Sequence, residues 1–479
     1  MNNSNRFAWF RALSCLVGVC ISILACGQAG PGPTRREKNK TLVQNTFDSN
    51  TKEHWANSNI LVRPGLLANR IGKWVKVQAE AVGTGSNSPC EFMLISEASG
   101  HDYEALMISF AKPSDIHDAL VFIGIRPGRP VDGSKYCFWP KGERVITTVE
   151  WAKDGPRRAR GESLIVNSDM QGPLPNDGFV FVGSVMKKAP NDSAGTNVYA
   201  ADVFGPNCIV SYFNDPETVL DVPRVASQGS MYDIQHPNPV YSFSTGQLVS
   251  VMFEPEYKDG KRRVSDFVLK IAPPPLTAVV AVSNAVIQLT DAAGISQMKG
   301  ARLQDALAVF EEVVKDGRDP FVRVEFDAGL PLSAVRSVCT FLDAINTARG
   351  VRIEPPPAGH AYYRAFIPDE NLRTQANRSM QPWELRISDT DGKAGGTMVL
   401  IEDKVDRTTE KWHTVTNRYG ACTPDGIRKV FETKTEDGTQ RVGPAYVFVF
   451  APKSMLYGNL VPFLAACLET RPYVHVYLE

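Results

Sequence analysis

The 479-residue sequence lacks every short signature that names a reaction. It has no Gly-x-Ser-x-Gly elbow, no phosphate-cradling P-loop and no His-Glu-x-x-His pair, so it lacks the local patterns of an α/β-hydrolase nucleophile, a P-loop nucleotide site or a helical zinc protease. No two cysteines are spaced Cys-x-x-Cys, which argues against a zinc ribbon or cubane iron–sulfur cluster. Net charge is also missing. Lys+Arg and Asp+Glu both total 52, and the basic excess typical of nucleic-acid-binding domains is absent. No apolar run reaches the roughly 17–25 residues of a membrane-spanning helix. What remains is 43% hydrophobic and 22% charged, an ordinary globular balance, in a chain long enough for several domains.

The N-terminus reads as an address. Arg6 and Arg11 precede the uncharged run at 12–25, ALSCLVGVCISILA, and Cys26 follows. A positive start, a short apolar stretch and small residues at its end make a secretory signal over 1–25. Ile23-Leu24-Ala25-Cys26 resembles a bacterial lipobox, in which the signal is cut before a cysteine that is then acylated, here Cys26. Leu24 departs from the small residue common there, and an ordinary cut after Ala29 is the alternative. Removing 1–25 removes two Arg and no acid, leaving a formal charge of −2. Residues 26–50 are polar and rich in Pro, Gly and charge, which predicts a flexible tether.

Proline runs at Ala272-Pro273-Pro274-Pro275 and Pro355-Pro356-Pro357 divide the rest into 51–272, 276–355 and 380–479. Short alternating apolar segments make the first block β-rich. One helix is expected in it from Pro113 to Gly124, with Pro at its start, early acids and a closing Gly. Of the six cysteines beyond the signal, Cys339 and Cys467 fall on apolar helical faces. Cys90, Cys137 and Cys208 leave room for one bridge of undetermined pairing, and Cys422 is unassigned.

Three passages carry a resemblance: Glu91–Phe110, Lys112–Gly128 and Thr148–Val185. In these the block resembles a YdjY-type domain, a family of exported bacterial proteins. The resemblance implies export and supplies no reaction. Some family members are labelled iron–sulfur proteins, and this chain lacks the cysteine pattern for that.

The last two blocks repeat each other. Residues 321–354 align without a gap on 446–479, 125 positions away. Val322 falls on Val447, Val324 on Val449, Val335 on Leu460, Val338 on Phe463, Leu342 on Cys467 and Ile353 on Leu478. Each copy reads strand, helix, strand. With upstream strands and a helix, each predicts a β-α-β-α-β unit with parallel strands and helices on one face. The expected fold class is therefore multidomain α+β, a β-rich domain followed by two such units. These units resemble the periplasmic domain of the ExbD/TolR family of envelope motors. Asp327 in the first half and Tyr457 in the second match that family's pattern, while Leu332 and Pro452 depart from it. The resemblance implies a fold and a habit of pairing with envelope partners. Without the family's membrane span, it does not bring motor activity.

His101, Glu104, Asp115 and His117 form the densest titratable cluster, the residue types of a divalent-metal site. The competing reading is a polar strand end plus a helix N-terminus, where Asp115 stabilises the helix dipole. No residue is assigned a catalytic role and no cofactor is implied. The reading of the whole is a non-enzymatic envelope lipoprotein on the periplasmic side. It would bind envelope proteins or cell wall, hold the membrane by its lipid, leave nucleic acid alone and have scope for self-association. The alternative is a periplasmic metal-binding protein or hydrolase using the His101/Glu104/Asp115/His117 region.

Overall fold

The computed structural model describes residues 34–479 apart from 154, 193, 260, 274–285, 292–295, 302, 349, 374–380, 391–392, 407, 433–445, 470 and 472. The signal at 1–25 and Cys26 lie outside the described residues.

The first unit is a closed barrel of eight strands. Trp74–Ala81 pairs with Leu248–Pro255, which pairs with Arg144–Ala152. The ring continues through Phe179–Phe181, Leu220–Asp221, Cys208–Ser211, Phe92–Ser96 and Ala105–Ser109, and returns to Trp74–Ala81. Two of its pairings are parallel, Cys208–Ser211 with Leu220–Asp221 and Phe92–Ser96 with Ala105–Ser109. Eight strands enclose an interior that side chains alone can fill. Val77, Ala79, Leu94, Met107, Val149, Phe179, Val210 and Phe253 belong to one buried cluster that does so. The expected helix forms at Pro113–Phe122, with Pro in its first turn and Ile116, Ala119 and Leu120 buried. It ends where predicted. Gly124 takes a left-handed φ of +94°, and the Ile125 N–H folds back on the Leu120 carbonyl at 3.1 Å.

The tether reading is corrected over most of its length, because Arg35–His54 is an α-helix. Thr34 caps it with a complete capping box, exchanging bonds with Glu37. The helix is held to the barrel by Arg36 and Asn39, whose donors both reach Glu80, at 2.5 and 2.9 Å. Its mean hydropathy is low and only Asn39 and Val43 are buried, so composition alone reads it as tether.

Val264–Ala272 also departs from the sequence division. The proline run places it in the first block, but it is the central strand of the next sheet, antiparallel to Val286–Asp291 and parallel to Asp319–Phe326. The Pro273 run therefore joins two strands of one sheet.

Both repeat units are built alike. In the first, the sheet order is Ser296–Ala301, Val286–Asp291, Val264–Ala272, Asp319–Phe326, Arg352–Ile353. In the second it is Lys411–Cys422, Lys393–Asp406, Trp383–Thr390, Tyr446–Ala451, Tyr473–Leu478. Each is thus a three-stranded meander followed by α-β-α-β, which corrects the expected β-α-β-α-β. Helices Leu303–Lys315 and Leu332–Ala348 serve the first, and Pro424–Phe431 and Tyr457–Leu468 the second. Thr423 caps the third of these through the Gly426 N–H, as its sequence predicts. The stretch 411–419, whose pattern suggests packing or an insertion loop, is strand.

The ungapped alignment of the repeats hides a shift. Val322 pairs with Ile353 in the first unit, but Val447 pairs with Val474 in the second, so the last strands differ by four positions. The first unit's second helix has 17 residues and its counterpart 12, more than one turn fewer. A slip of four leaves every strand residue on the same face, so the apolar pattern still matches in sequence.

The halves meet about a local two-fold axis. Pro331 bridges Leu456, its own equivalent 125 positions on. The Leu332 N–H donates to Met455 O at 2.9 Å, and the Tyr457 N–H donates to Leu330 O at 2.8 Å. A second reciprocal pair follows, Ser333 N–H to Lys453 O at 3.0 Å and Gly458 N–H to Ala328 O at 2.9 Å. Such self-complementary pairing is the geometry of an isologous dimer, here within one chain. Residues from both halves share one hydrophobic core.

All six cysteines from Cys90 onward are buried and free. No bridge joins Cys90, Cys137 or Cys208, and burial pushes the Cys90, Cys208 and Cys339 thiols well up. Iodoacetamide is expected to leave these six unmodified in the folded chain and to label all six in guanidinium. Rapid labelling of any of them under native conditions, read by mass spectrometry, would refute this.

Candidate functional site

Sequence groups His101, Glu104, Asp115 and His117, but the fold separates their surroundings. His101 stacks on Tyr103 at 5.7 Å between centroids and meets Phe92 edge-on at 6.5 Å. His117 sits between Phe181 and Tyr199, at 5.2 and 5.5 Å, with Nδ1 3.3 Å from Asp118. Asp115 lies in the first turn of its helix, 3.7 Å from the Arg63 guanidinium. Glu104 ends a short 3-10 turn beside Glu91. Among the described residues no three His, Cys, Asp or Glu side chains converge as a metal site requires. The cluster is dense along the chain because a strand end and a helix start are close in sequence.

What the barrel does gather is a set of buried carboxyls that no motif announces. Glu91, one residue before the strand Phe92–Ser96, hydrogen-bonds its backbone N–H to Glu104 O at 2.9 Å. Its side chain accepts from the Gln228 amide at 2.8 and 3.1 Å. Burial pushes the Glu91 carboxyl up to about 7, with Glu104 and Asp215 adding repulsion and Gln228 opposing. Asp215 is raised to about 6, chiefly by burial. Its Oδ1 accepts from the Glu217 N–H at 2.9 Å, and its buried Oδ2 has no partner. Asp221 is fully buried and raised well above its usual range, accepting from Asn214 on both oxygens at 3.2 Å. The shared cause is desolvation, which disfavours the charged form. This arrangement favours the protonated form of all three carboxyls. It is illegible in sequence because Glu91, Asp215 and Gln228 are scattered along 137 positions and meet only when the barrel closes.

The pH consequence has a definite sign. The folded state binds these protons more tightly than the unfolded chain, so stability falls as pH rises from the ordinary Glu value of 4.5 towards 7. Glu91→Gln is expected to flatten this fall and to raise the melting temperature at pH 8 relative to the wild type. Thermal melts from pH 4.5 to 8 test it, and a variant that keeps the wild-type slope would dismiss Glu91 as its source.

The fold thus defines a mixed barrel domain carrying a fused, two-fold-related pair of α+β units. Residues 66–235 match the family model of the YdjY domain. The match takes in seven of the eight barrel strands. The eighth, Leu248–Pro255, lies beyond it and supplies the pairing between Trp74–Ala81 and Arg144–Ala152. A search of curated proteins finds no match to the chain.

Proposed function

We propose that the chain is a non-enzymatic envelope lipoprotein, exported by residues 1–25, anchored through Cys26 and serving as an interaction or scaffold module on the periplasmic side. The observation that carries the reading is the two-fold seam at Pro331 and Leu456. The chain uses its internal repeat to form a fixed pair, and a rigid pair suits presenting a surface to envelope proteins or cell wall. The ExbD/TolR resemblance at Asp327 and Tyr457 is in keeping with this, since both residues lie beside the seam. Tyr457 packs on Phe326, and Asp327 Oδ1 accepts the Gly329 N–H. No helix among the described residues is long and apolar enough to cross a membrane.

Radioactive palmitate should label the wild-type chain in its native host and fail to label Cys26→Ser. Absence of label on the wild type removes the anchor. Cross-linking in intact cells should recover a specific envelope partner, and recovery of the uncross-linked chain alone with linkers of several lengths would remove the scaffold role.

A further inference from the structure

We propose that the cleft on the barrel's flank, lined by residues of the barrel and of the 255–262 segment that leads into the first repeat sheet, is a binding site for a small phosphate-class anion, with Arg144 as its innermost contact. The cleft encloses about 150 Å³, well above the roughly 10–15 Å³ that one water needs, and suits a small anion. Lys73, Arg126, Arg144, Lys261 and Arg262 line it, against Glu143 and Glu256.

The charge balance behind the cleft calls for an anion. Three guanidinium groups converge on one carboxylate oxygen, Asp319 Oδ2: Arg352 at 2.8 Å, Arg144 at 3.2 Å and Arg263 at 3.4 Å. Glu256, 3.3 Å from Arg263, is the other carboxylate that reaches one of these three guanidiniums among the described residues, while Glu143 accepts the Arg263 backbone N–H at 3.2 Å and is paired with Arg262 at 2.8 Å. Three buried or half-buried cations thus face two acids, and an excess charge taken out of water calls for a counter-ion.

The hydrogen-bond inventory points the same way and narrows the chemistry. The Arg144 side chain is 3% exposed. Its Nη2 serves Asp319, while Nε and Nη1 are buried without a partner. Unpaired guanidinium donors are the groups that recognise phosphate and carboxylate oxygens. Glu256 Oε2 is also buried without a partner. It is an acceptor and needs a donor. Hydrogen phosphate offers both, oxygens for Arg144 and one O–H for Glu256. Sulfate offers only oxygens. A phosphate ester with a neighbouring hydroxyl satisfies the same set. The outer cations are placed to complete the site. Arg126 is exposed at the rim, Lys73 is anchored on the Lys258 carbonyl at 2.6 Å, and Lys261 on that of Asp316 at 2.9 Å.

Calorimetry on the full chain at pH 8 and fixed ionic strength tests the site. The probes are inorganic phosphate, sulfate and glycerol 3-phosphate. Phosphate or glycerol 3-phosphate is expected to bind at least about tenfold more tightly than sulfate, the preference being lost in Glu256→Gln. Arg144→Gln should abolish binding. It sits in the buried cluster, so Arg126→Glu is the second variant. That change lies on the exposed rim and should weaken binding about tenfold while leaving the ligand-free melting temperature unchanged. Tighter binding of inorganic phosphate makes the free ion the source, and tighter binding of glycerol 3-phosphate makes it an ester such as a headgroup. The proposal is overturned if neither binds, if sulfate binds as well as both, or if Arg126→Glu and Glu256→Gln both bind as the wild type does.

Discussion

Asp319→Asn is expected to destabilise the full chain by about 3–5 kcal/mol, the usual cost of removing one partner from a buried ion pair. Asp319 is the only group that the Arg144, Arg263 and Arg352 guanidiniums all approach among the described residues. Arg144 belongs to a barrel strand, and the other two flank or belong to the first repeat sheet. Losing the carboxylate leaves three cations facing one another largely out of water, with the Arg144 side chain 3%, that of Arg352 11% and that of Arg263 22% exposed. The damage should be local. Hydrogen exchange in Asp319→Asn should quicken first along Arg144–Ala152 and Asp319–Phe326, before the second repeat opens. Urea unfolding showing a loss below about 1 kcal/mol would mean that the three arginines find other partners, and the ion cluster would not then hold the barrel to the repeats.

A second contact set joins the same two parts and sharpens that expectation. A loop from the barrel, bridged at Arg129 and Lys141, reaches across the first sheet. Lys141 pairs with Asp266 at 2.5 Å and Glu354 at 3.1 Å, and Arg129 pairs with Glu354 at 2.5 Å. At its tip Tyr136 stacks on Tyr362 at 4.7 Å with the rings 16° apart. These groups do not touch Asp319, so in Asp319→Asn the barrel and repeats should stay associated while the strands around position 319 loosen.

Tyr457→Ala is the second large effect, a loss of about 3–5 kcal/mol as for other buried aromatics truncated to Ala. Tyr457 is 2% exposed and opens the last helix at the two-fold seam. Its ring packs on Phe326 of the other half at 5.4 Å and on Phe366 at 5.9 Å. Its hydroxyl accepts the Ala361 N–H at 3.0 Å, in the segment linking the halves. Tyr457→Phe keeps the ring and orphans that N–H, so it should cost about 1–3 kcal/mol. The order wild type, Phe, Ala in urea midpoint is the expected result. A Phe variant as weak as Ala would place the contribution in the hydroxyl, and an Ala variant as stable as wild type would show that the seam stands on its backbone bonds alone. The equivalent of Tyr457 in the first half, Leu332, is equally buried but has no hydroxyl to satisfy a backbone N–H.

The repeat itself is legible in the amino-acid sequence. Residues 321–354 and 446–479 show the same apolar spacing, and strand and helix periods are read directly from it. The barrel helix is legible too, from Pro113 to Gly124, because proline and glycine mark helix ends for local reasons. Other features mislead. Arg35–His54 is almost wholly polar and reads as tether, and its local helix signals are confined to its ends, a capping box at Thr34 and Lys52 and His54 in the last turn. The central strand of the first repeat sheet, Val264–Ala272, stands on the wrong side of a proline run, because a linker-like Pro273 also serves a connection within a sheet. The metal-like grouping of His101, Glu104, Asp115 and His117 fails because proximity in sequence ignores which way a strand end and a helix start face.

The sequence by itself determined the parts of this protein: a β-rich block, a duplicated α+β block, where the barrel helix begins and ends, and the cap at Thr423. Those features depend on side-chain period and on caps, which act within a few residues. Only the tertiary structure decided that the β-rich block closes as an eight-stranded barrel, completed by a strand from beyond the matched YdjY region. It also decided that the repeats pair with each other at Pro331 and Leu456, and that Glu91 meets Gln228 and Arg144 meets Asp319 across 137 and 175 positions. Contacts of that span depend on which surfaces exclude water together. Desolvation sets the carboxyls' proton affinities and leaves the Arg144 donors unpaired, and it arises only once the separate elements have packed.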